Sequence, residues 1–306
     1  MQTKINGMTL AFNDRGTGFP IVFLHAFPLN RTMWAKQEDA LSSQFRVITI
    51  DLRGHGESDA PLWHYSLDQA ADDVHGLLDY LSIRQAVFVG LSMGGYILFA
   101  FHRKFADRVK GMVLADTRAQ ADTDEGKQVR FEMAQIAYKQ GARAIADMMI
   151  PKLLSPATIQ TRPELVQHVR TMIEGNQVSG IAGDLMAMAE RPDSIPLLRR
   201  ITCPAQIIVG ELDLPTPPSD ATLMAHRIPN AHLAIIPGAA HLSNLERPDL
   251  FNETVRSFVA DITGYAESRA RLSGLNPGRR HCRVGSILKI PGESAIGCEM
   301  LPTWNW

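Results

Sequence analysis

Residues 86–101 read AVFVGLSMGGYILFAF. The first four are apolar and fit a short strand buried on both faces. Gly90-Leu91-Ser92-Met93-Gly94 follows, and residues 96–101 begin an apolar, helix-like run. Gly-x-Ser-x-Gly between a strand and a helix marks a turn so sharp that the two backbones nearly touch. The positions two before and two after the serine must then be small, as Gly90 and Gly94 are. Such a turn strains the serine's backbone and lifts its hydroxyl clear of the sheet. Ser92 is therefore the candidate nucleophile. The plain alternative is an ordinary glycine-rich turn between strand and helix.

Outward from this stretch the same rhythm recurs. Residues 21–24, 47–50, 109–115, 205–209 and 232–236 are further short apolar runs. Residues 66–81 between two of them carry helical periodicity through Leu67, Ala70, Ala71, Val74, Leu77, Leu78 and Leu81. Near the start, Asn6-Gly7 separates two strand-like pieces and predicts a hairpin. Alternating strands and helices define an α/β fold with a mostly parallel central sheet flanked by helices.

The rhythm breaks at residues 117–200. Helical stretches 126–140, 142–150, 163–174 and 180–190 follow one another, punctuated by Pro151, Pro156, Pro163, Pro192 and Pro196. This predicts an all-helical cap inserted after the sixth strand, over the sheet edge where open α/β sheets bind ligands. The core is then 1–116 plus 201–262. Residues 263–306 fit neither pattern, with six Lys/Arg against three Asp/Glu, and read as an atypical C-terminal tail. It is either dispensable or an oligomerisation arm.

With 306 residues, 45% hydrophobic content and a net charge of −1, the chain has ample core and no electrostatic footprint for nucleic acid. No run is long enough to span a membrane, and residues 1–16 lack the apolar segment of a signal peptide. Three cysteines, Cys203, Cys282 and Cys298, lie outside metal-ligand spacing and suit free thiols in a reducing compartment. A cytoplasmic location is expected. No metal or organic cofactor is expected.

A serine hydroxyl needs a base within hydrogen-bond reach and an acid to orient that base. Chain order in the elbow type is Ser, then Asp or Glu, then His. His226, His232, His241 and His281 follow the late acids. His241 lies in a loop between the last strand and the last helix, so it is the candidate base. Asp213 ends Gly-x-x-Asp after the strand at 205–209 and is the candidate acid; Glu211, Asp220 and Asp116 are rivals. Two backbone N–H groups must meet the developing oxyanion. Met93, next to the serine, supplies one. Phe27, in the loop after residues 21–24, is the choice for the other, since Pro28 has no N–H. His25 and His55 read as loop braces.

HAFP (25–28), DLRGHGESD (51–59), GLSMGGY (90–96), VGELD (209–213) and GAAHLSNLERP (238–248) occur in this order. Together they resemble the α/β-hydrolase superfamily, in particular its serine esterases, 3-oxoadipate enol-lactonase-like proteins and cofactor-free haloperoxidases (perhydrolases). The resemblance covers residues 1–262. It implies Ser92, Asp213 and His241 as a catalytic triad and Phe27 and Met93 as oxyanion donors. One departure is Ala26, where the family usually has glycine. The resemblance also implies a perhydrolase side activity, because in its haloperoxidases a proline, here Pro28, often follows the oxyanion-loop aromatic. Dehalogenases and epoxide hydrolases are less similar, because they carry aspartate at the elbow.

The predicted cap holds Met133, Met148, Met149, Met172, Met186 and Met188. Met133, Met148 and Met186 are taken as substrate-binding residues in a pliable apolar pocket, with simple cap packing as the plain alternative. Such a pocket favours an uncharged acyl chain or lactone. A dicarboxylate enol-lactone would want Arg118, Arg130 or Arg143. The partner expected is thus a small ester or lactone, with no nucleic acid and no membrane, and a homodimer left open. A hydrolase acting through an acyl-enzyme is the leading reading. Its rivals are lactone opening as the native role, acyl-homoserine lactones included, and a ligand receptor on the same fold.

Overall fold

The computed structural model describes residues 1–62 and 64–264; of the tail expected at 263–306, residues 265–306, with His281, Cys282 and Cys298, lie outside the described residues. Eight strands form one sheet: β1 (Gln2–Ile5), β2 (Met8–Arg15), β3 (Pro20–Leu24), β4 (Arg46–Asp51), β5 (Ala86–Leu91), β6 (Val109–Ala115), β7 (Ala205–Gly210) and β8 (Ala231–Ile236). Their order is β1-β2-β4-β3-β5-β6-β7-β8. β1 and β2 form the predicted hairpin, with Asn6 and Gly7 both at positive φ as a type I′ turn requires. β2 meets β4 antiparallel, and every pairing from β4 to β8 is parallel.

The helices are α1 (Ala35–Leu41), α2 (Leu67–Tyr80), α3 (Met93–Phe105), α4 (Asp124–Leu153), α5 (Pro156–Thr161), α6 (Pro163–Glu174), α7 (Val178–Ala189), α8 (Ile195–Leu198), α9 (Pro218–Arg227), α10 (Ser243–Glu246) and α11 (Pro248–Thr263). α2 starts on a capping box, in which Ser66 and Gln69 satisfy each other's backbone N–H. Its apolar stripe packs against α3, while α11 packs against α1 and β6 to β8. The central strands β5 and β7 are buried along their whole length. β8 departs from the expected fully buried strand: at the sheet edge it leaves Leu233 and Ile235 exposed.

Five helices, α4 to α8, lie between β6 and β7. α4 breaks at Gly141 (φ 81°, ψ 178°), the boundary predicted between its two halves. α5 was not foreseen. Pro156 reads as a breaker, but it occupies the first turn of α5, where its missing N–H costs nothing and Ser155 caps the helix. α7 docks on the loop after β4 through glycines. A Cβ on Gly180 would lie 1.9 Å from the Gly54 carbonyl oxygen, and one on Gly183 would lie 2.7 Å from the Tyr65 ring. Among the described residues no helix is long and apolar enough to cross a membrane.

Candidate active site

The residues singled out in the sequence come from four loops that leave the C-terminal ends of parallel strands. Phe27 follows β3, Ser92 follows β5, Asp213 follows β7 and His241 follows β8. Ser92 sits at φ 55°, ψ −111°, a region costly for a residue with a Cβ, and caps α3. The turn closes as tightly as its sequence predicts. A Cβ on Gly90 would lie 2.4 Å from the Gly94 carbonyl oxygen, and one on Gly94 would lie 2.2 Å from that of Leu24. The Ser92 backbone is pinned from both sides: its N–H donates to the Ala115 carbonyl at 2.9 Å, and its carbonyl accepts the Thr117 hydroxyl at 2.8 Å.

The Ser92 hydroxyl oxygen is 2.8 Å from His241 Nε2. On the far side of the ring, His241 Nδ1 is 2.9 Å from both carboxylate oxygens of Asp213. Thr216 secures that carboxylate, its hydroxyl donating to Oδ2 at 2.7 Å and its N–H to Oδ1 at 3.0 Å. Ser92, Asp213 and His241 are all buried. Thr216 escaped the sequence reading, although Asp-x-x-Thr is a recognisable local turn in which an acid caps a nearby N–H.

The rival residues make other contacts. Asp116 is fully buried at φ 43°, accepting from the Gly210 N–H at 2.7 Å and from the Ser243 hydroxyl. Burial and the neighbouring Asp213 charge push its carboxyl well above the usual carboxylate range. Glu211 accepts from the Gly238 N–H, and Asp220 from Gln120. His226 and His232 are exposed. His25 braces its loop, with Nε2 accepting the Leu52 N–H at 3.0 Å. His55 is wholly buried, its ring 5.1 Å from that of His25.

Phe27 lines the cavity beside Ser92, and Met93 follows Ser92 as the first residue of α3; the backbone N–H groups of both enter none of the turn, cap or side-chain hydrogen bonds of the described residues. Ala26 is accommodated in place of glycine and is fully buried. The Phe27–Pro28 peptide is cis, and the Pro28 carbonyl accepts from Asn176 Nδ2.

A cavity of about 510 Å³ opens over Ser92 and His241. Its apolar wall includes Met133, Met149, Leu185, Met188 and Leu214. Of the three methionines expected there, Met133 lines it and Met148 and Met186 do not. Met148 packs against the core, and Met186 faces a separate groove beside Tyr65 and Tyr138. The reason is helical phase. Consecutive helical residues point about 100° apart, so Met149 rather than Met148 meets the cavity, and Leu185 and Met188 share a face that Met186 does not.

The wall also carries charge, including two of the three arginines that a dicarboxylate enol-lactone would want. Arg118, Arg130 and Lys152 line the cavity, whereas Arg143 is exposed outside it. Asp122 is the wall's acid. Burial opposes its charge, but hydrogen bonds from Arg130 and Arg191 hold its carboxyl down at about 2. Arg118 Nε lies 3.5 Å from Asp220. With Arg118 facing Asp220 and Asp122 shared between Arg130 and Arg191, the surplus arginine charge and Lys152 leave the wall positive.

Residues 20–248 match the family described as alpha/beta hydrolase fold, and the chain belongs to that family. Among curated relatives, 3-oxoadipate enol-lactonase 2 of Acinetobacter baylyi is 33% identical over 241 residues, 78% of this chain and 88% of that protein. Among solved structures, a thermophilic esterase from Thermogutta terrifontis with malate bound is 40% identical at a TM-score of 0.84, covering 86% of this chain and 99% of that one. The enol-lactonase from Burkholderia xenovorans is 32% identical at a TM-score of 0.80, over 85% and 100% of the two chains.

Proposed function

We propose that this α/β hydrolase cleaves carboxylic esters or lactones through an acyl-enzyme on Ser92. The observation that carries the reading is the continuous hydrogen-bonded run from Asp213 through His241 to Ser92, with separations of 2.8 and 2.9 Å. In the first half-reaction Ser92 Oγ bonds to the substrate carbonyl carbon while its proton passes to His241 Nε2. The oxyanion takes the N–H groups of Phe27 and Met93. Collapse breaks the C–O bond, and His241 returns the proton to the leaving oxygen, which in a lactone stays tethered to the acyl group. In the second half-reaction a water gives its proton to His241 and its oxygen to the acyl carbon, and Ser92 Oγ leaves with the proton restored. Asp213 holds the imidazole tautomer and offsets its transient charge.

In this reading residues 117–200 act as the cap that supplies most of the apolar wall, over a core of 1–116 and 201–262 that adds Leu214. Steady turnover of p-nitrophenyl butyrate is the expected behaviour, with Ser92→Ala reducing kcat by about 10⁶. A single slow turnover per chain would instead make the protein a receptor on a hydrolase fold. Ser92→Ala within tenfold of wild type would remove Ser92 from the chemistry.

A second reading is favoured by the positive wall: substrates that carry a carboxylate besides the scissile ester. The relative from A. baylyi acts, by its name, on the enol-lactone of a dicarboxylate, and the T. terrifontis esterase holds malate. Arg118→Met should raise KM for p-nitrophenyl hydrogen glutarate about tenfold, the loss of one charge-assisted hydrogen bond. KM for neutral p-nitrophenyl butyrate should stay the same. Equal changes for both esters would contradict anion recognition.

A further inference from the structure

Asn176 is buried just beyond the end of α6, and its side chain bonds backbone groups of two separate loops. Its Oδ1 accepts the Gly56 N–H at 2.8 Å. Its Nδ2 donates to the Pro28 carbonyl at 2.7 Å and to the Leu29 carbonyl at 3.3 Å. Pro28 and Leu29 directly follow Phe27. The other hydrogen bonds at residues 26–29 are internal to residues 25–33: Leu29 N–H to the Ala26 carbonyl, His25 Nδ1 with that same carbonyl, and Ala26 N–H to Met33 Sδ. Among the described residues, Asn176 is therefore the hydrogen-bonding tether of residues 26–29 to segments outside 25–33, whose flanks are held separately, His25 by the Leu52 N–H and Arg31 by Asp51. The loop it ties in turn, residues 52–58, carries His55, whose ring meets the Phe27 ring edge-on at 6.4 Å.

We propose that Asn176 is a positioning residue for the oxyanion loop, so that stabilisation of the transition state at Ser92 depends on the docking of the α6–α7 segment. The proposal rests on the serine-hydrolase reading above. Its physical basis is a donor with no acceptor of its own. The Phe27 N–H makes no hydrogen bond of its own; its peptide plane is set by the Ala26 carbonyl, which accepts the Leu29 N–H, and Leu29 and Pro28 are the residues that Asn176 holds. A shift of about 1 Å in such a group costs on the order of 10² in rate. The residue type fits the task. An amide can accept from Gly56 and donate to Pro28 and Leu29 at once. A carboxylate in its place keeps the first bond and sets negative charge against two carbonyl oxygens. Alanine leaves the buried Pro28 and Leu29 carbonyls without this donor and frees the Gly56 N–H.

The test compares wild type, Asn176→Asp, Asn176→Ala and Ser92→Ala on p-nitrophenyl butyrate. Rates of the three proteins that retain Ser92 are normalised to sites titrated with a p-nitrophenyl phosphonate, so that misfolded protein is not counted, and that of Ser92→Ala to folded protein concentration. Inhibition by an alkyl trifluoromethyl ketone, whose adduct carries the oxyanion, is measured alongside. For both Asn176 variants kcat should fall about 10- to 100-fold with KM within about twofold, and ketone affinity should weaken in step with kcat. A lowered unfolding midpoint with kcat and ketone affinity unchanged would make Asn176 a packing residue and overturn the proposal. An active Ser92→Ala would instead defeat the underlying serine mechanism, whatever the Asn176 variants do.

Discussion

Asp213 and Asp116 are two buried carboxyls in one neighbourhood, and only Asp213 is bonded to the His241 ring. Asp116 ties the end of β7, through Gly210, to the loop that carries His241, through Ser243. Asp213→Asn should lower kcat by about 10⁴, because an amide can present its N–H to Nδ1 and favour the wrong tautomer. Asp116→Asn keeps an oxygen for Gly210 and a donor for Ser243, so it should cost about one weakened hydrogen bond, around 1 kcal/mol. Side-by-side kcat values decide between the two; the larger loss at Asp116 would transfer the acid's role to it. At this scale the sequence was informative wherever a residue's task is local. Glycines on either side of Ser92, a proline that cannot donate and an acid at a strand end all declare themselves in a few letters. Asn176 and Lys152 do not, because each meets its neighbours only after distant segments dock.

The strand and helix rhythm was legible for a related reason: strands buried on both faces must be apolar throughout, and helices over them must be periodic. One element escaped it, α5, which opens on a proline that resembles a stop; β8 was read as a strand, but as an edge strand it is exposed where burial on both faces was expected. The orientation of the inserted helices escaped it too. Whether Met186 or Met188 faces Ser92 depends on how α7 rolls against α4 and the loop after β4, and periodicity alone leaves that roll free. The glycine contact fixes it. Gly180→Ala should force α7 away from Gly54, at a cost of about 1–3 kcal/mol for overpacking. That exceeds the gain of at most about 1 kcal/mol from replacing glycine in a helix. Chemical denaturation should therefore show a less stable protein, and Leu185 and Met188 should shift enough to raise KM. A more stable variant with unchanged KM would mean that α7 docks more loosely than Gly54 and Gly180 indicate.

Over the whole molecule, the inserted helices and the sheet's loops meet across buried ionisable groups. His55 Nδ1 lies 3.4 Å from Asp184 of α7, with His25, Asp51 and Arg53 also nearby. Burial, with help from His25, lowers His55 to about 3, so it stays neutral in the fold while the unfolded chain takes up a proton below about 6.5. Its contribution to stability is therefore lost as pH falls from about 6.5 towards 3. Asp184 and Asp116, both raised well above the usual carboxylate range by burial, act in the opposite sense across this window and flatten the total curve. The difference between wild type and His55→Gln isolates the histidine: moving from pH 6.5 to 4.5 should favour the variant by about 2 kcal/mol. A difference independent of pH would mean that His55 is already charged or solvated in the fold. The same architecture brings one serine, one histidine and one acid together from loops far apart in the chain, and the account stands on the chemistry of that serine. The direct measurement is covalent. Diethyl p-nitrophenyl phosphate is added, the intact mass is followed together with residual esterase activity, and the modified peptide is mapped. The account predicts one diethylphosphoryl group per chain, on Ser92, with activity lost in proportion to labelling. Full labelling at another residue, or activity that persists in chains labelled at Ser92, would contradict it.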